Sequence, residues 1–335
     1  MLAACLVFNA YLIAQSPTRQ SQTTQQAVPP RQGAGYLLPD GTVRIVGAAS
    51  MAGVISQLDS LYVREHPGTR FSYVSADNNG AIDALIFDGT PFAPIGTVYN
   101  GGLAYSDIVK APPFAIRIAH GSLSPTAQVS PLGVIVNPAN PVSRLSLGDV
   151  ASIFSKPLRA RVFATWAQAG VQGDFGAHPV EPAGLPWSDH YASEDRTFGD
   201  DVFYRKFAGA APVDSYRTFK TYAEVVDFVA HTPDAIGVCA LNRITSGVKL
   251  IGLTDGPFST VHTGSAADIS GGHYPIDRYL YLQVRVLGGK QLDPLVREYL
   301  KLALSPAGQA AIASGEEHYL PLSPTELAEE QGKLE

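Results

Sequence analysis

Apolar residues recur along this chain with two alternating periods, and each change of period marks an element. Val43–Val46 is a short β-branched segment that reads as a strand. After the small residues Gly47-Ala48-Ala49-Ser50, the side chains Val54, Ile55, Leu58, Leu61 and Tyr62 return at helical spacing. The pattern predicts a strand, a tight loop and a helix that ends before His66-Pro67-Gly68. Phe71–Val74 repeats the strand. Asp77-Asn78-Asn79-Gly80 repeats the polar turn, with Asn79 as helix cap, and Ile82, Leu85 and Ile86 repeat the helix as far as Asp88-Gly89. Further on, Phe114–Ile118, Leu132–Val136, Ala235–Leu241 and Tyr279–Val286 read as strands. Helices are expected after the capping-box pattern Ser146–Asp149, around Val202, Phe203 and Phe207, after the capping box Thr221–Glu224, and after Asp293-Pro294. Residues 170–195, rich in Gly, Pro and Asp, read as irregular. Repetition of strand, polar loop and helix is the signature of an α/β protein.

Composition adds bounds. The 335 residues suffice for two domains, and with 45% hydrophobic and 16% charged residues there is apolar material for sizeable cores. The net charge is −6 and the Lys and Arg residues are scattered, which argues against a nucleic-acid partner. Any bound anion must then be held by local groups, because the overall field repels it weakly. The two cysteines, Cys5 and Cys239, have neither zinc-site spacing nor a CxxC pattern, and Cys239 reads as a small buried hydrophobe. The eight histidines show no metal-ligand spacing, and no GxSxG, P-loop or GxGxxG motif is present. No catalytic residue, metal or cofactor is therefore assigned, and the chain reads as a non-enzyme. Residues 1–14 form an apolar run that suits a signal-peptide core or a short anchor, with Leu2-Ala3-Ala4-Cys5 similar to a lipobox. Residues 15–41 read as a flexible tether, with folded structure beginning near Thr42.

Free amides at a helix N-terminus bind anions without a basic side chain. Three loops ahead of expected helices fit that role. Ala49, Ser50 and Met51 follow the first strand, and the small residues allow close approach to the backbone. Asp77, Asn78 and Asn79 form the second loop. Ser193, Asp195, Arg196 and Thr197 form the third, where Arg196 has the fork geometry that oxyanions favour and Ser193 and Thr197 offer hydroxyls.

Several segments, in order, resemble the periplasmic phosphate-binding proteins of ABC importers. These are Gly133–Pro141 (GVIVNPANP), Leu145–Phe154, Ala235–Val238 (AIGV), Tyr274–Tyr281 (YPIDRYLY), and Leu304–Gln309 (LSPAGQ) with Tyr319–Leu322. The resemblance covers most of residues 43–322. It implies a two-lobed type II periplasmic-binding-protein fold, each lobe a mixed sheet flanked by helices. The lobes would be 42–118 plus 280–322 and 132–275, with hinge crossings at 119–131 and 276–279 and a tail helix at 323–335. It implies a monomer in the periplasm or cell envelope that takes inorganic phosphate or a similar oxyanion and hands it to an ABC permease. Ser50 matches a hydroxyl of the family's first binding loop, and Thr97 closes Phe92–Thr97 (FAPIGT), which stands where the family carries an acid-bearing loop. Pro94 lies near the place of that acid, and the third loop lacks the family's SGT sequence. Both departures leave open a sensor or interaction module on the same fold, with a different ligand or none.

Overall fold

The computed structural model describes residues 28–97, 114–156, 161–189, 192–256, 259–286 and 291–335. Its chain builds one lobe, crosses to a second, and returns. In the first, β1 (Val43–Ala48) leads through a 3-10 turn at Ala49–Met51 into α1 (Ala52–Glu65), then to β2 (Phe71–Ala76), which pairs with β1 in parallel. Then come α2 (Asn78–Ile86), β3 (Phe92–Ile95) and β4 (Phe114–His120). The Thr90 hydroxyl accepts from the Val46 N–H and donates to the Phe92 carbonyl, which joins β1 to the start of β3.

The second lobe contains β5 (Leu132–Val136), β6 (Arg144–Ser146), α3 (Leu147–Phe154), β7 (Glu181–Gly184) and a π-helical turn at Asp200–Lys206. It continues through β8 (Arg217–Thr218), α4 (Tyr222–His231), β9 (Ala235–Ala240), β10 (Lys249–Leu250), β11 (Gly252–Thr254) and α5 (Ala266–Ser270). Five of these strands form one mixed sheet in the order β10-β5-β9-β7-β8. The chain returns through β12 (Tyr279–Val284), which lies antiparallel between β3 and β4. It ends in α6 (Pro294–Ala303), α7 (Pro306–Ser314) and α8 (Pro324–Gly332).

Each lobe has its own apolar core. One is drawn from residues between Leu132 and Ile276. Another combines β1, α1 and β4 with β12 and the three C-terminal helices. In the latter, α6 buries Val296, Tyr299, Leu300, Leu302 and Ala303. The Tyr299 ring lies 4.6 Å from Phe92 and 5.5 Å from Tyr62, so C-terminal and N-terminal segments share one aromatic cluster. Burying each such side chain contributes roughly 1.5–3 kcal/mol. Where the lobes join, the two crossing segments run side by side. The Gly121 N–H donates to the Arg278 carbonyl at 2.7 Å and the Leu132 N–H to the Ile276 carbonyl at 3.1 Å.

Four expectations are revised. Residues 170–195 hold β7, a strand between β9 and β8; Glu181-Pro182-Ala183-Gly184 has no strand alternation because both of its faces are covered by protein. The helix around Val202 and Phe203 is wound as a π-helix. The cap of α2 is Asp77, whose carboxylate accepts from the Gly80 N–H at 2.8 Å, and Asn79 lies inside the first turn. Order also begins before Thr42: Ala34 and Tyr36 pack on Val43 and Leu295, and the Tyr36 hydroxyl donates to Asp293 at 2.6 Å. The apolar run 1–14, Cys5 and the tether as far as residue 27 lie outside the described residues. Among the described residues no helix is long and apolar enough to cross a membrane. Cys239 is buried, and desolvation pushes its thiol up to about 12, as suits an inert core residue.

Candidate functional site

A cavity of about 350 Å3 lies between the lobes, with walls from both. Other hollows, beside Asp149 and beside Asp59, each draw their lining from a single lobe.

The first wall is the turn after β1. Seven α-helices carry a side-chain cap; among the described residues α1 is the α-helix without one, and the 3-10 turn before it has none either. Small residues make this possible. A Cβ on Gly47 would come within 2.8 Å of Pro94 Cδ, so glycine is needed where β1 passes β3. The Tyr73 hydroxyl donates to the Ala48 carbonyl at 2.6 Å and fixes the turn from behind. The result is a helix start with its partial positive charge facing the cavity and no protein acceptor supplied by a cap.

The opposite wall is built on a buried ionic cluster. Arg278, 5% exposed, lies 2.6 Å from an Asp195 carboxylate oxygen and 2.7 Å from one of Asp201. The second contact is close enough for an ion pair but not aligned as a hydrogen bond. Asp195 also accepts from the Tyr222 hydroxyl at 2.6 Å and from the Thr197 amide and hydroxyl, each at 2.9 Å. Burial alone would raise the Asp195 carboxyl, but Arg278, Tyr222 and Thr197 outweigh it and hold it below its ordinary value. Asp201 goes the other way: burial dominates over Arg278 and Arg205, and its carboxyl is raised. The cluster continues to the first lobe. Thr97 donates to Asp201 at 3.2 Å and accepts from Arg205 at 2.6 Å.

Of the residues singled out in the sequence, Ala49, Ser50, Asp77, Asn78, Asp195, Arg196 and Thr197 line this one cavity. Four others are placed elsewhere. The Met51 side chain is fully buried in the core, so only its backbone can face outward. Asn79 is exposed and off the cavity wall. The Thr97 hydroxyl is engaged by Asp201 and Arg205. The Ser193 hydroxyl donates to the Asp195 carbonyl at 3.1 Å. The structure adds Glu194, Asn242, Arg243 and Arg278 to the wall. Arg278 stands in the YPIDRYLY run, so its motif was visible, but its partners lie 77 to 83 positions upstream. Among the described residues no cluster of His, Cys, Asp and Glu could hold a metal ion.

No family model matches the chain. It is 24% identical over 295 residues to the phosphate-binding protein PstS of Pseudomonas aeruginosa, a match covering 86% of this chain and 85% of that one. The chain is a low-identity homologue of the phosphate-binding substrate-binding proteins of ABC transporters. Solved structures agree on the fold. PstS from Borrelia burgdorferi matches with TM-score 0.56 and 16% identity over 84% of this chain and 98% of that one. An ABC-type phosphate transport receptor from Vibrio cholerae matches with TM-score 0.52 and 16% identity over 83% and 98%. The likeness is one of fold, the two α/β lobes described above.

Proposed function

We propose that this protein is an extracytoplasmic solute-binding protein that closes its two lobes over a phosphate-like oxyanion and delivers it to an ABC permease. Homology to phosphate-binding proteins supports a non-enzymatic, solute-binding role outside the cytoplasm. The observation that carries the ligand reading is the convergence of the three loops on one interlobe cavity, with an uncapped helix start on one side and guanidinium groups on the other. In this reading the amides of Ala49–Met51 and the Ser50 hydroxyl donate from one lobe, joined by Asn78. Arg196 donates from the other, where Thr197, its amide and hydroxyl both given to Asp195, shapes the wall and Arg278 holds Asp195 and Thr197 in place. Residues 42–118 with 280–322 and 132–275 are the two moving bodies, bending at 119–131 and 276–279. The protein works as a monomer.

A sensor reading is favoured by one feature: Pro94, where the family resemblance places an acid, is buried in β3 against Gly47 and offers no side-chain acceptor. Titration of the purified protein with phosphate, sulfate and molybdate, followed by thermal midpoint, tests the oxyanion reading. A binder raises the midpoint once ligand exceeds its dissociation constant, by about 2.7 kcal/mol of stability at a hundredfold excess. Arg196→Ala should remove most of that shift. A midpoint unmoved by any oxyanion discards the oxyanion reading in favour of the sensor.

A further inference from the structure

Thr97 follows Gly96, a residue of the cavity wall, but is not itself on that wall. A threonine hydroxyl has one proton to give. Thr97 gives it to Asp201 at 3.2 Å and accepts from Arg205 at 2.6 Å. Arg205 also donates to the same Asp201 oxygen at 3.1 Å, so the three side chains form a closed triangle. Both partners stand four residues apart on the π-helical turn Asp200–Lys206, and windings of this kind are frequent at functional positions. Thr97 and Asp201 are each only 6% exposed. The other oxygen of Asp201 lies 2.7 Å from Arg278, which does line the cavity. A buried contact thus runs from lobe to lobe beside the ligand space without entering it.

The backbone bonds at Gly121 and Leu132 lie at the crossings, where bending disturbs them little. Thr97 follows β3, away from the crossings, so its bonds to Asp201 and Arg205 last only while the lobes stand together. Resting on the oxyanion reading above, we propose that Thr97 is a positioning residue: it clasps the π-helical turn and sets the fraction of molecules whose lobes are together. A residue that changes only this fraction scales the affinity for every ligand by one factor. A residue that touches the ligand changes the ratios between ligands as well. Thr97 is therefore assigned to the strength of capture, and the choice of anion is left to the cavity wall.

Two measurements on wild type, Thr97→Val and Thr97→Ser test this. Valine keeps the β-branched shape without the hydroxyl, and Asp201 and Arg205 still have each other, so the variant should fold. Thr97→Ala removes the same hydroxyl and replaces it should valine not fold. Small-angle X-ray scattering of the ligand-free proteins should give a larger radius of gyration for valine than for wild type, with serine restoring the wild-type value. Isothermal titration with phosphate, sulfate and molybdate should show every measurable affinity weakened by one shared factor in valine, about tenfold, the scale of a hydrogen bond to a charged group. Serine should again match wild type. Equal radii, equal affinities, or ratios between anions that change with valine overturn the inference and leave the oxyanion reading standing. Failure of the wild type to bind any of the three anions discards the oxyanion reading instead. Scattering alone then decides the clasp, and equal radii reject it.

Discussion

His120 has surroundings that its sequence neighbours do not suggest. It ends β4, fully buried, with Nδ1 2.5 Å from Asp277 and Nε2 3.0 Å from Glu326. Arg117 and Tyr279 face the same cluster through Glu326. Burial opposes a charge on the imidazole, but the two carboxylates outweigh it and raise its pKa from 6.5 to about 9. Glu326 responds in the matching direction and is held at about 2, its own burial outweighed by His120 and Ser323. Asp277 is raised, because its burial outweighs the same imidazolium. For His120 the folded-state value lies above the unfolded one. Its contribution is therefore complete below about pH 6.5, and it is lost as pH rises through about 9. The loss is on the order of 3 kcal/mol. Urea midpoints measured from pH 6 to 10 should fall more steeply in the wild type than in His120→Gln. Parallel curves would show that the imidazole is neutral in the folded protein. Nothing in the run Ile118-Ala119-His120-Gly121 announces this, because Asp277 and Glu326 arrive from more than 150 positions away.

At the scale of elements, capping chemistry was the most legible feature. Ser146, Thr221 and Asp293 cap the helices whose starts their patterns marked, because a cap is made within three or four residues of sequence. The strand β7 and the π-helical turn were not legible, since both are set by packing partners distant in the chain. Phe203, for instance, meets Phe198, Phe207 and Tyr216 edge-on, and Asp201 is turned toward Arg278. The uncapped start of α1 lies between these cases. The run Gly47-Ala48-Ala49-Ser50 indicated a tight turn, but only the structure shows that no side chain occupies the cap. If those amides serve a ligand, filling the cap should separate binding from stability. Ala48→Asp places a carboxylate at the position of an N-cap, and thermal unfolding should show a midpoint no lower than wild type. Oxyanion affinity should fall about tenfold or more, since the new carboxylate takes the donors and repels the anion. Undiminished affinity would move the anion site away from α1.

The two lobes have separate cores but share one ionic cluster, and that has consequences for the molecule as a whole. Arg278 sits where the chain returns to the first lobe, Asp195 and Asp201 belong to the second lobe, and Thr97 reaches Asp201 from the first. Two buried carboxylates are tolerable only while the guanidinium lies between them. Replacing Arg278 with methionine keeps most of the volume but leaves one of those charges uncompensated, a change that costs about 3–5 kcal/mol. Lysine should not restore the loss, because one ammonium cannot span both acids as the planar fork does. The cost falls on the contact that makes each lobe sense the other, so the form of unfolding should change as well as its midpoint. Wild-type protein should lose intrinsic fluorescence and far-UV ellipticity in one coincident transition. In Arg278→Met the two signals should separate, because Trp166 and Trp187 both report on the second lobe while ellipticity reports on both. Coincident transitions in the variant, merely shifted downward, would mean that the hydrogen-bonded crossings at Gly121 and Leu132 are enough to couple the cores without the ionic cluster.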